Sequence, residues 1–578
     1  MRALLLAALA VPAAGLDTAV HFHSAGQRIA LAPVGGNAFA LESGARVTAT
    51  NRLIVRLRPG APASVLAEAP AGTRVAIEEV ISASPLRAVL RVGSPDPRAA
   101  FAVADALHEH RLVDYAVPEI FYPMELRSRH VPNDPLFPRQ WPLDNRGQGG
   151  RVTDADVDAP EAWRYTRGSP DVVIAVLDDG VELDHPDLAP NISRAGRDFT
   201  QTPPGSDPSP RTPADRHGTA VAGVAAARGD NAIGVSGICP RCTILPLRVH
   251  GSSNLGTAAA FRYAVEQGAD VITNSWGYSP GLPVAADDAV RDAIEDAAVN
   301  GRGGRGTLIV FGMTNDRVDN CRAPTLDISA LDSVLAVGVS DHNDEIGGSG
   351  FGDCMDLVAP AKPQRRSTIG VATTDRSGLA GFTAGEYHTT FGGTSAAAPL
   401  VAGVAALLLS LNPDLTRAEL VRILEHTADK IDPAAAAYDA NGFSAKAGHG
   451  RLNAERALLP TARIRVVPDR VKVGQPFTVV VTASAPFGVE SVSWRGLATG
   501  VPALDEPHRD RAGGTAYHEA VWRDVVADRP GVFVLRADAR DARHALADGY
   551  PHEASRAGGA ATATIAVAAD DASQGSLP

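Results

Sequence analysis

The sequence predicts an α/β fold built on a doubly wound parallel sheet, and three observations support this prediction. Residues 130–460 alternate short apolar strands with helical stretches, which is typical of a parallel sheet covered by helices. Val172–Leu177 is a continuous apolar run, as expected for a strand buried on both faces. Polar residues follow several strands, and sheets of this class carry their sites at the carboxyl ends of strands.

The regions that flank residues 130–460 have other patterns. Residues 1–16 combine one positive charge, a short apolar run and small residues, which predicts a secretory signal peptide, with an ordinary strand or helix as the alternative. Residues 17–129 predict a small α+β unit. Residues 461–569 contain short strands separated by turns, which predicts a β-sandwich of immunoglobulin-like type, and residues 570–578 predict a disordered tail.

Composition narrows the class of protein. Of the 578 residues, 45% are hydrophobic and 21% are charged, which is typical of globular domains. The net charge is −12 and basic runs are missing from the sequence, so a role in nucleic-acid binding is not expected. After the signal peptide the sequence contains no apolar run of the length that a membrane span needs. We therefore expect a secreted monomer, extracellular or periplasmic.

One stretch places a serine at the start of a helix. Gly392–Pro399 reads GGTSAAAP and is followed by the apolar segment Leu400–Leu411, which predicts a helix of about three turns, too short to span a bilayer. Pro399 is expected in the first turn, where its missing N–H is harmless. Ser395 then lies at a helix N-terminus, where a nucleophile and its oxyanion are favoured. The alternative is an ordinary N-cap residue.

Three more polar residues lie at the edges of buried elements. Asp178 ends the strand Val172–Leu177 and could orient a histidine. His217 opens a helix of small residues, and Asn315 follows another buried strand, where its amide could donate to an oxyanion. Each of them alone is more often structural, but they occur with Ser395 in the order Asp, His, Asn, Ser.

The motifs that contain these residues resemble those of the subtilisin-like serine proteases, close to the kexin and furin branch. They are Ile174–Pro186 (IAVLDDGVELDHP), Arg216–Gly223 (RHGTAVAG), Asn274–Gly277 (NSWG), Gly392–Pro399 and Gly448–Ala457 (GHGRLNAERA). The resemblance implies that Ser395 is the nucleophile and His217 the general base. It also implies that Asp178 orients His217 and that Asn315 donates to the oxyanion.

The resemblance also concerns the substrate. It implies that Ser275, Trp276 and Gly277 line the cleft, and that Asp179 and Asp215 lie near a substrate residue before the cut. Acids that follow the SWG motif in furin-like enzymes are replaced here by the stretch 278–281, and the usual Gly before Asn315 is Thr314. A basic or an apolar preference therefore stays open. The furin-branch P domain is not recognisable in residues 461–569.

The resemblance further implies a structural Ca²⁺ site. The loop 229–235 resembles the subtilisin loop whose alternate residues supply oxygen ligands, which suit this hard cation. The implied ligands are Gly229, Asn231, Ile233 and Val235 from the loop, with Asp134 and Asp187. The alternative is a plain polar turn.

Four cysteines allow three pairings. Cys239 and Cys242 are close enough in sequence for a local bridge, with a redox motif as the alternative interpretation; a zinc site would need a second such pair, which the sequence lacks. Cys321 and Cys354 match positions that are paired in the kexin branch.

Together these features predict a secreted, calcium-stabilised serine endopeptidase that acts on protein or peptide substrates. The resemblance implies that residues 17–129 are a propeptide, which inhibits the enzyme and is removed by self-processing between Glu119 and Asp134. Arg127, Arg129 and Leu126 are the candidate residues before the cut. Two alternatives remain: a catalytically silent binding protein on the same fold, and an ester hydrolase.

Overall fold

The computed structural model describes most of the chain in two compact units, 1–127 and 128–578. The predicted signal peptide (1–16), the tail (570–578), residues 279–281 and the candidates Leu126 and Arg127 lie outside the described residues. The described residues are 19–24, 27–35, 37–40, 46–67, 73–83, 86–109, 112–121, 129–148, 152–278, 287–362, 370–496, 504, 508–528, 530–541 and 561–568.

The described residues of the N-terminal unit form an antiparallel sheet and one α-helix. Its order along the chain is β1 (Val20–Ser24), β2 (Gln27–Gly35), β3 (Ala38–Ala40), β4 (Arg46–Leu57), β5 (Val75–Ala83), β6 (Leu86–Val92), α1 (Arg98–His108) and β7 (Val113–Phe121). The sheet order is β1-β2-β3-β4-β6-β5, and β7 pairs with β4. The apolar face of α1 packs against β4 and β6 through Val103 and Leu107. That this unit is a propeptide stays a prediction.

The second unit begins with alternating strands and helices. They are α2 (Ala159–Ala162), β8 (Val173–Asp178), β9 (Arg197–Asp198), α3 (His217–Ala226), β10 (Thr243–Arg248), α4 (Asn254–Glu266), β11 (Val271–Asn274), α5 (Asp288–Gly304), β12 (Leu308–Gly312), β13 (Leu335–Ser340), β14 (Leu357–Pro360), β15 (Val371–Thr374), β16 (Tyr387–Phe391), α6 (Thr394–Leu411), α7 (Arg417–Thr427), α8 (Pro433–Ala436) and α9 (Ala454–Ala457).

The central sheet is parallel, as the sequence predicts. Its strand order is β14-β13-β12-β11-β8-β10-β9, and every neighbouring pair runs parallel. Side chains of β8 alternate between two cores: Ile174 and Val176 pack in the cluster that contains α3 and α6, whereas Ala175 and Leu177 pack in the cluster that contains α4 and α5. Burial on both faces explains why this strand is apolar throughout.

The helix α6 corrects one expectation. It extends over 18 residues, and Pro399 is its sixth residue instead of lying in the first turn. Pro399 cannot donate to the carbonyl of Ser395 four residues earlier. The hydroxyl of Ser275 donates to that carbonyl at 3.1 Å instead, so a neighbouring strand end satisfies the group that the proline leaves free.

The same helix is, within the described residues, long and apolar enough to cross a membrane by length and composition. The prediction that this segment is too short was therefore wrong. Because 83% of its apolar window is buried inside the protein, and buried core helices pass the same test, this is weak evidence for a span.

Side-chain caps begin two helices of this unit. Thr416 and Glu419 form a capping box at the start of α7. Ser253 caps α4 by accepting from the Gly256 N–H. The strands β15 and β16 form an antiparallel hairpin, which the sequence did not predict.

The C-terminal strands form two sheets around one apolar cluster. They are β17 (Thr461–Val467), β18 (Arg470–Lys472), β19 (Pro476–Ser484), β20 (Val489–Gly496), β21 (His508–Arg511), β22 (Tyr517–Val526), β23 (Gly531–Asp541) and β24 (Ala561–Ala568). The sheet orders are β17-β19-β22 and β18-β24-β23-β20-β21, and both sheets contribute to the cluster, through Val479 and Trp494 among others. An immunoglobulin-like type stays a prediction.

Candidate active site

Three neighbouring strands of the central sheet bring candidate residues to one edge. β8 ends at Asp178, β11 ends at Asn274 just before Ser275, and β12 ends three residues before Asn315. These strands lie side by side in the order β12-β11-β8 and run in the same direction. Residues that are far apart in sequence therefore meet at the carboxyl edge, where parallel sheets carry their sites.

Asp178 and His217 form a close pair. The Asp178 carboxylate contacts His217 Nδ1 at 2.8 and 3.1 Å through its two oxygens. Burial alone would lower the pKa of His217, but the charge and the hydrogen bond of Asp178 outweigh burial and raise the pKa. Because Nδ1 is occupied by the carboxylate, Nε2 is the nitrogen that is left to exchange a proton.

Asp179 holds the helix that carries His217. Its carboxylate accepts the backbone N–H groups of Arg216 and His217 at 3.0 Å each and that of Gly218 at 2.7 Å, which satisfies the start of α3. Burial, and then the charge of Asp178, raise the pKa of Asp179 to about 6. The carboxylate predicted to contact substrate is thus engaged in capping a helix.

Gly218 allows the close approach of these elements. A Cβ at this position would lie 2.4 Å from the Gly180 carbonyl and 2.8 Å from Asp178 Cβ. The small residue is therefore needed to bring α3 down onto the end of β8, which sets the distance between His217 and Asp178.

Asn315 is oriented by the start of α6. Its Oδ1 accepts the Thr394 N–H at 3.1 Å, so the amide oxygen faces the helix and the Nδ2 donor is left for another partner. Gly393 has φ of 75°, and a Cβ there would lie 2.5 Å from Asn315 Oδ1. The glycine therefore permits both the turn and the contact.

Ser395 is the second residue of α6. Its backbone N–H has no acceptor among the described hydrogen bonds, as expected for a first-turn residue. Phe391, four residues earlier, lies with its ring 5.5 Å from the His217 ring. The described hydrogen bonds of the His217 ring go to Asp178 and not to Ser395; catalytic hydrogen bonds are often loose in the absence of substrate.

A small cavity of about 80 Å³ lies at the same edge and is bordered by Thr394, the residue before Ser395. It is lined by Ser275, Trp276, Gly277, Gly312, Met313, Thr314, Asp327 and Thr394. The residues of the SWG motif thus line a cavity at the same edge as Asn315. Trp276 is fixed there by the ring of Phe311 at 5.2 Å.

Asp327 is a residue of this cavity that the sequence analysis missed. Its Oδ1 accepts the Ser329 N–H at 3.0 Å, while Oδ2 has no hydrogen-bond donor among the described residues. Oδ2 faces Gly277, where a Cβ would come within 3.0 Å of it. In sequence Asp327 is an acid after a proline-containing turn, and only the tertiary contact with Gly277 distinguishes it.

Asp215, the other acid predicted to lie near substrate, is also occupied. Hydrogen bonds from the Arg211 N–H, from Thr212 and from Arg248 outweigh burial and lower the pKa of Asp215 to about 2. The Arg248 guanidinium lies 2.9 Å from its carboxylate. Its negative charge is thus compensated within the protein.

The comparisons with known proteins concern the part of the chain that contains this site. The family model described as the subtilase family matches residues 169–450. Thermitase of Thermoactinomyces vulgaris is 31% identical over 334 residues, which cover 57% of this chain and 99% of thermitase. The chain belongs to the subtilase family.

Two further matches define how far this similarity extends. The calcium-dependent protease of Trichormus variabilis is 34% identical over 386 residues, and the match covers 62% of this subtilase but only 56% of that protein's length. The crystal structure of a serine protease of Aeromonas sobria covers 72% of this chain and 92% of that chain with a TM-score of 0.51 and 19% identity, which shows a shared fold.

Two predicted calcium ligands converge on the loop 229–235 of this subtilase. Asp134 accepts the Asp230 N–H at 2.9 Å, and Asp187 accepts the Asn231 amide at 2.7 Å and the Val235 N–H at 2.8 Å. Burial raises the pKa of both carboxyls, that of Asp187 to about 6. Among the described residues, neither carboxylate forms an ion pair with an arginine or a lysine. Both are therefore compatible with binding a hard cation.

The loop backbone also fits such a role. Asp230, Ala232 and Gly234 have positive φ, whereas Asn231 and Ile233 between them do not, so the backbone alternates in hand. That Gly229, Asn231, Ile233 and Val235 supply oxygen ligands stays a prediction. Among the described residues no three acidic, histidine or cysteine side chains form a metal-binding group, so most ligands would be backbone and amide oxygens.

Both predicted disulfides are present, Cys239–Cys242 and Cys321–Cys354. The second one connects the segment between Asn315 and Asp327 to residues 352–354, where a Cβ at Gly352 would lie 2.3 Å from Cys321 Sγ. This bridge therefore restrains the segment that contributes both an amide and a carboxylate to the candidate site.

Proposed function

We propose that this subtilase is a serine endopeptidase whose nucleophile is Ser395. The observation that carries the proposal is the Asp178–His217 contact at 2.8 Å beside the start of α6, with the Nδ2 donor of Asn315 left free at the same edge. Membership of the subtilase family supports the assignment.

The mechanism follows from the positions of these groups. Ser395 Oγ attacks the peptide carbonyl while His217 Nε2 accepts its proton, and the negative charge of Asp178 stabilises the imidazolium that forms. The resulting oxyanion accepts hydrogen bonds from Asn315 Nδ2 and from the Ser395 N–H at the positive end of α6. His217 then donates the proton to the leaving amine, and water repeats the sequence to release the acyl group.

Asp327 extends the proposal to the substrate class. Oδ2 of this half-paired carboxylate lies in the cavity that Ser275–Gly277 border, so a cationic side chain that enters the cavity gains a charged partner away from bulk water. We therefore assign the preferred residue before the cut as arginine or lysine. Asp179 and Asp215 have a lesser role, because their oxygens are occupied by α3 and by Arg248.

Calcium is proposed as a structural ion held by Asp134, Asp187, and the oxygens of Gly229, Asn231, Ile233 and Val235. The name of the Trichormus relative, a calcium-dependent protease, supports this assignment. The bound ion would neutralise two buried carboxylates. Because it would bind only the folded state, it would also raise the stability of the protein.

The remaining architecture is proposed from the sequence. A signal peptide (1–16) directs secretion, residues 17–129 act as an inhibitory propeptide, residues 130–460 are catalytic, and residues 461–569 form an accessory β-sandwich. The division into compact units at residues 127 and 128 supports a boundary close to the one proposed.

The proposal is tested by casein hydrolysis with the purified wild-type protein and two variants. Asn315→Ala should lower kcat by about 10²–10³-fold, because one oxyanion donor is lost. Asn300→Ala, which removes an exposed asparagine from α5, is the matched control and should retain full activity. A fully folded wild-type protein that hydrolyses neither casein nor peptides supports the silent binding protein instead, and hydrolysis of small esters alone supports the ester hydrolase.

A further inference from the structure

The connection between β15 and β16 presents apolar side chains to solvent close to the candidate site. Leu379 is 95% exposed, more than any other large hydrophobic side chain among the described residues, and Phe382 is 37% exposed. Apolar residues exposed together beside a cleft indicate a surface that contacts something else. We name the residues 375–386 the hairpin loop.

The hairpin loop is an ordered structure. The Asp375 carboxylate accepts the backbone N–H groups of Arg376, Phe382 and Thr383 at 2.7–2.9 Å. The Ser377 N–H donates to the Glu182 carboxylate at 2.7 Å. The exposed side chains are therefore held in place by hydrogen bonds at both ends of the loop.

A second set of contacts fixes the hairpin loop to the segment that precedes His217. Arg376 donates to the carbonyls of Thr212 and Asp215, the latter at 3.1 Å. Arg216 donates to the Gly381 carbonyl at 3.0 Å, and its guanidinium lies over the Phe382 ring, 4.5 Å from the centroid. The position of the loop is thus coupled to the start of α3.

Aromatic rings continue from the hairpin loop to His217. The Phe382 ring lies 6.1 Å from the Phe391 ring, and the Phe391 ring lies 5.5 Å from the His217 ring. We name Phe391, Phe382 and Leu379, which lies three residues before Phe382 in the hairpin loop, the apolar wall. It runs from solvent to the candidate general base.

The chemistry of the proposed reaction tells which side of the substrate meets this wall. His217 must reach the leaving amine to protonate it, so the substrate residues that follow the scissile bond pass beside the His217 ring. The residue before the bond enters the cavity at Ser275–Gly277 instead. The apolar wall therefore borders the leaving-group side of the cleft.

We propose that Leu379 and Phe382 bind apolar side chains of the substrate residues that follow the scissile bond. This inference rests on the proposed peptidase function and adds a second specificity element to it. A polar side chain gains nothing from this surface, whereas an apolar one is removed from water against Leu379 and Phe382.

The test uses the mature enzyme and two sets of internally quenched peptides. Both sets carry arginine before the bond; one has leucine or phenylalanine at the three positions after it, and the other has serine or glycine there. The wild-type enzyme should prefer the apolar set. Leu379→Ser should lower kcat/KM for the apolar set by about 5–10-fold and leave the polar set unchanged.

Three variants make the result specific. Leu379→Met keeps an apolar side chain and should retain the preference. Phe382→Ser should lower it further, with the melting temperature recorded to show that the variant is folded. Val299→Ser removes a side chain that is 64% exposed near the carboxyl end of α5, at the opposite edge of the sheet, and should change neither set.

The possible outcomes separate the inference from the function on which it rests. A wild-type enzyme that cleaves neither set contradicts the proposed function. Cleavage without a preference for apolar residues, or a preference that Leu379→Ser and Phe382→Ser both leave intact, overturns the inference alone. If Leu379→Ser instead abolishes self-association in sedimentation experiments while selectivity stays unchanged, the wall contacts a second copy and the inference is also overturned.

Discussion

The two sides of the candidate catalytic centre differ in chemistry. On one side, Ser275–Gly277 and Asp327 enclose a small cavity with a half-paired carboxylate. On the other, Phe391, Phe382 and Leu379 form an open apolar wall beside His217. A recessed charge selects one side chain strongly, whereas an exposed apolar surface gives a weaker and broader preference. The difference predicts that substrate selection is dominated by the residue before the cut.

The largest effect should come from the centre that both sides share. Ser395→Ala and His217→Ala should each reduce hydrolysis of every peptide by about 10⁴-fold or more, and the double variant should lose little further activity because the residues act as a unit. The rate of peptide hydrolysis is measured with each purified mature variant in timed assays. A Ser395→Ala protein with near-normal turnover would remove the basis of the comparison.

The next effect should fall on one side only. Asp327→Asn keeps the shape of the cavity but removes its charge, and should lower kcat/KM for arginine before the cut by about 10²-fold relative to leucine. Asp332→Asn, which alters an exposed acid five residues later, is the control. Equal losses for arginine and leucine peptides would contradict a role of Asp327 in selection.

The same cavity should determine where the protein cuts itself. Arg129 pairs with Glu161 at 2.9 Å and also with Asp144, and His130 pairs with Asp230 at 2.8 Å, so these two residues are held within the second unit. Cleavage after Arg127 leaves these pairs intact. N-terminal sequencing of the secreted protein should therefore give Ser128 as the first residue, two residues before the domain boundary proposed from the sequence.

A mature chain that begins at Arg127, after Leu126, would indicate an apolar cavity. Processing that continues in Ser395→Ala expressed in a protease-deficient host would assign the cut to another enzyme. A fully active protein that still begins near residue 17 would show that the N-terminal unit is not an inhibitory propeptide.

Protonation of His217 should lower the cleavage of all peptides equally, whichever side of the centre selects them. Since the charge of Asp178 raises the pKa of His217 against the effect of burial, the ring gains its proton above the usual range, and activity should fall as the pH drops through that value. In a Ser395→Ala background, NMR titration of the ring should show a lower pKa after Asp178→Asn, with His217→Gln used to assign the signal. An unchanged pKa in Asp178→Asn would contradict the pairing.

Calcium removal should produce the smallest effect on catalysis, because the calcium loop reaches the active site only indirectly. The connection runs through the strand that ends at the apolar wall. Tyr387, the first residue of β16, lies beside Asp187, since a Cβ at Gly234 would contact both, and β16 ends at Phe391. Chelation should lower the melting temperature by several degrees, and Asp187→Asn should lose that response. An unchanged melting temperature on chelation would contradict the calcium site.

The parallel sheet and the residues at its carboxyl edge could be predicted from the sequence, because both depend on local patterns. Asp178 and Asn315 follow apolar runs that form buried strands, and motifs with small residues mark the helices that begin at His217 and Thr394. Each of these patterns lies within a short stretch of sequence, so it can be recognised without knowledge of the tertiary contacts.

The features that distinguish the two sides could not be predicted in this way. Asp327 becomes a cavity residue only through its approach to Gly277. The Ser395 carbonyl, which Pro399 leaves without its helical donor, accepts from Ser275, 120 residues away in sequence. Asp179 suggested a substrate contact, but three backbone N–H groups occupy it. Tertiary contacts decide the role of each of these residues.

One measurement tests the central claim on both sides at once: cleavage-site profiling of a diverse peptide library with the mature enzyme. The structure predicts arginine or lysine before the cut, apolar residues in the positions that follow it, and no cleavage by Ser395→Ala. Cleavage that persists in Ser395→Ala would contradict the proposed nucleophile, and cleavage after apolar residues with no selection beyond the bond would contradict the assignment of the two sides.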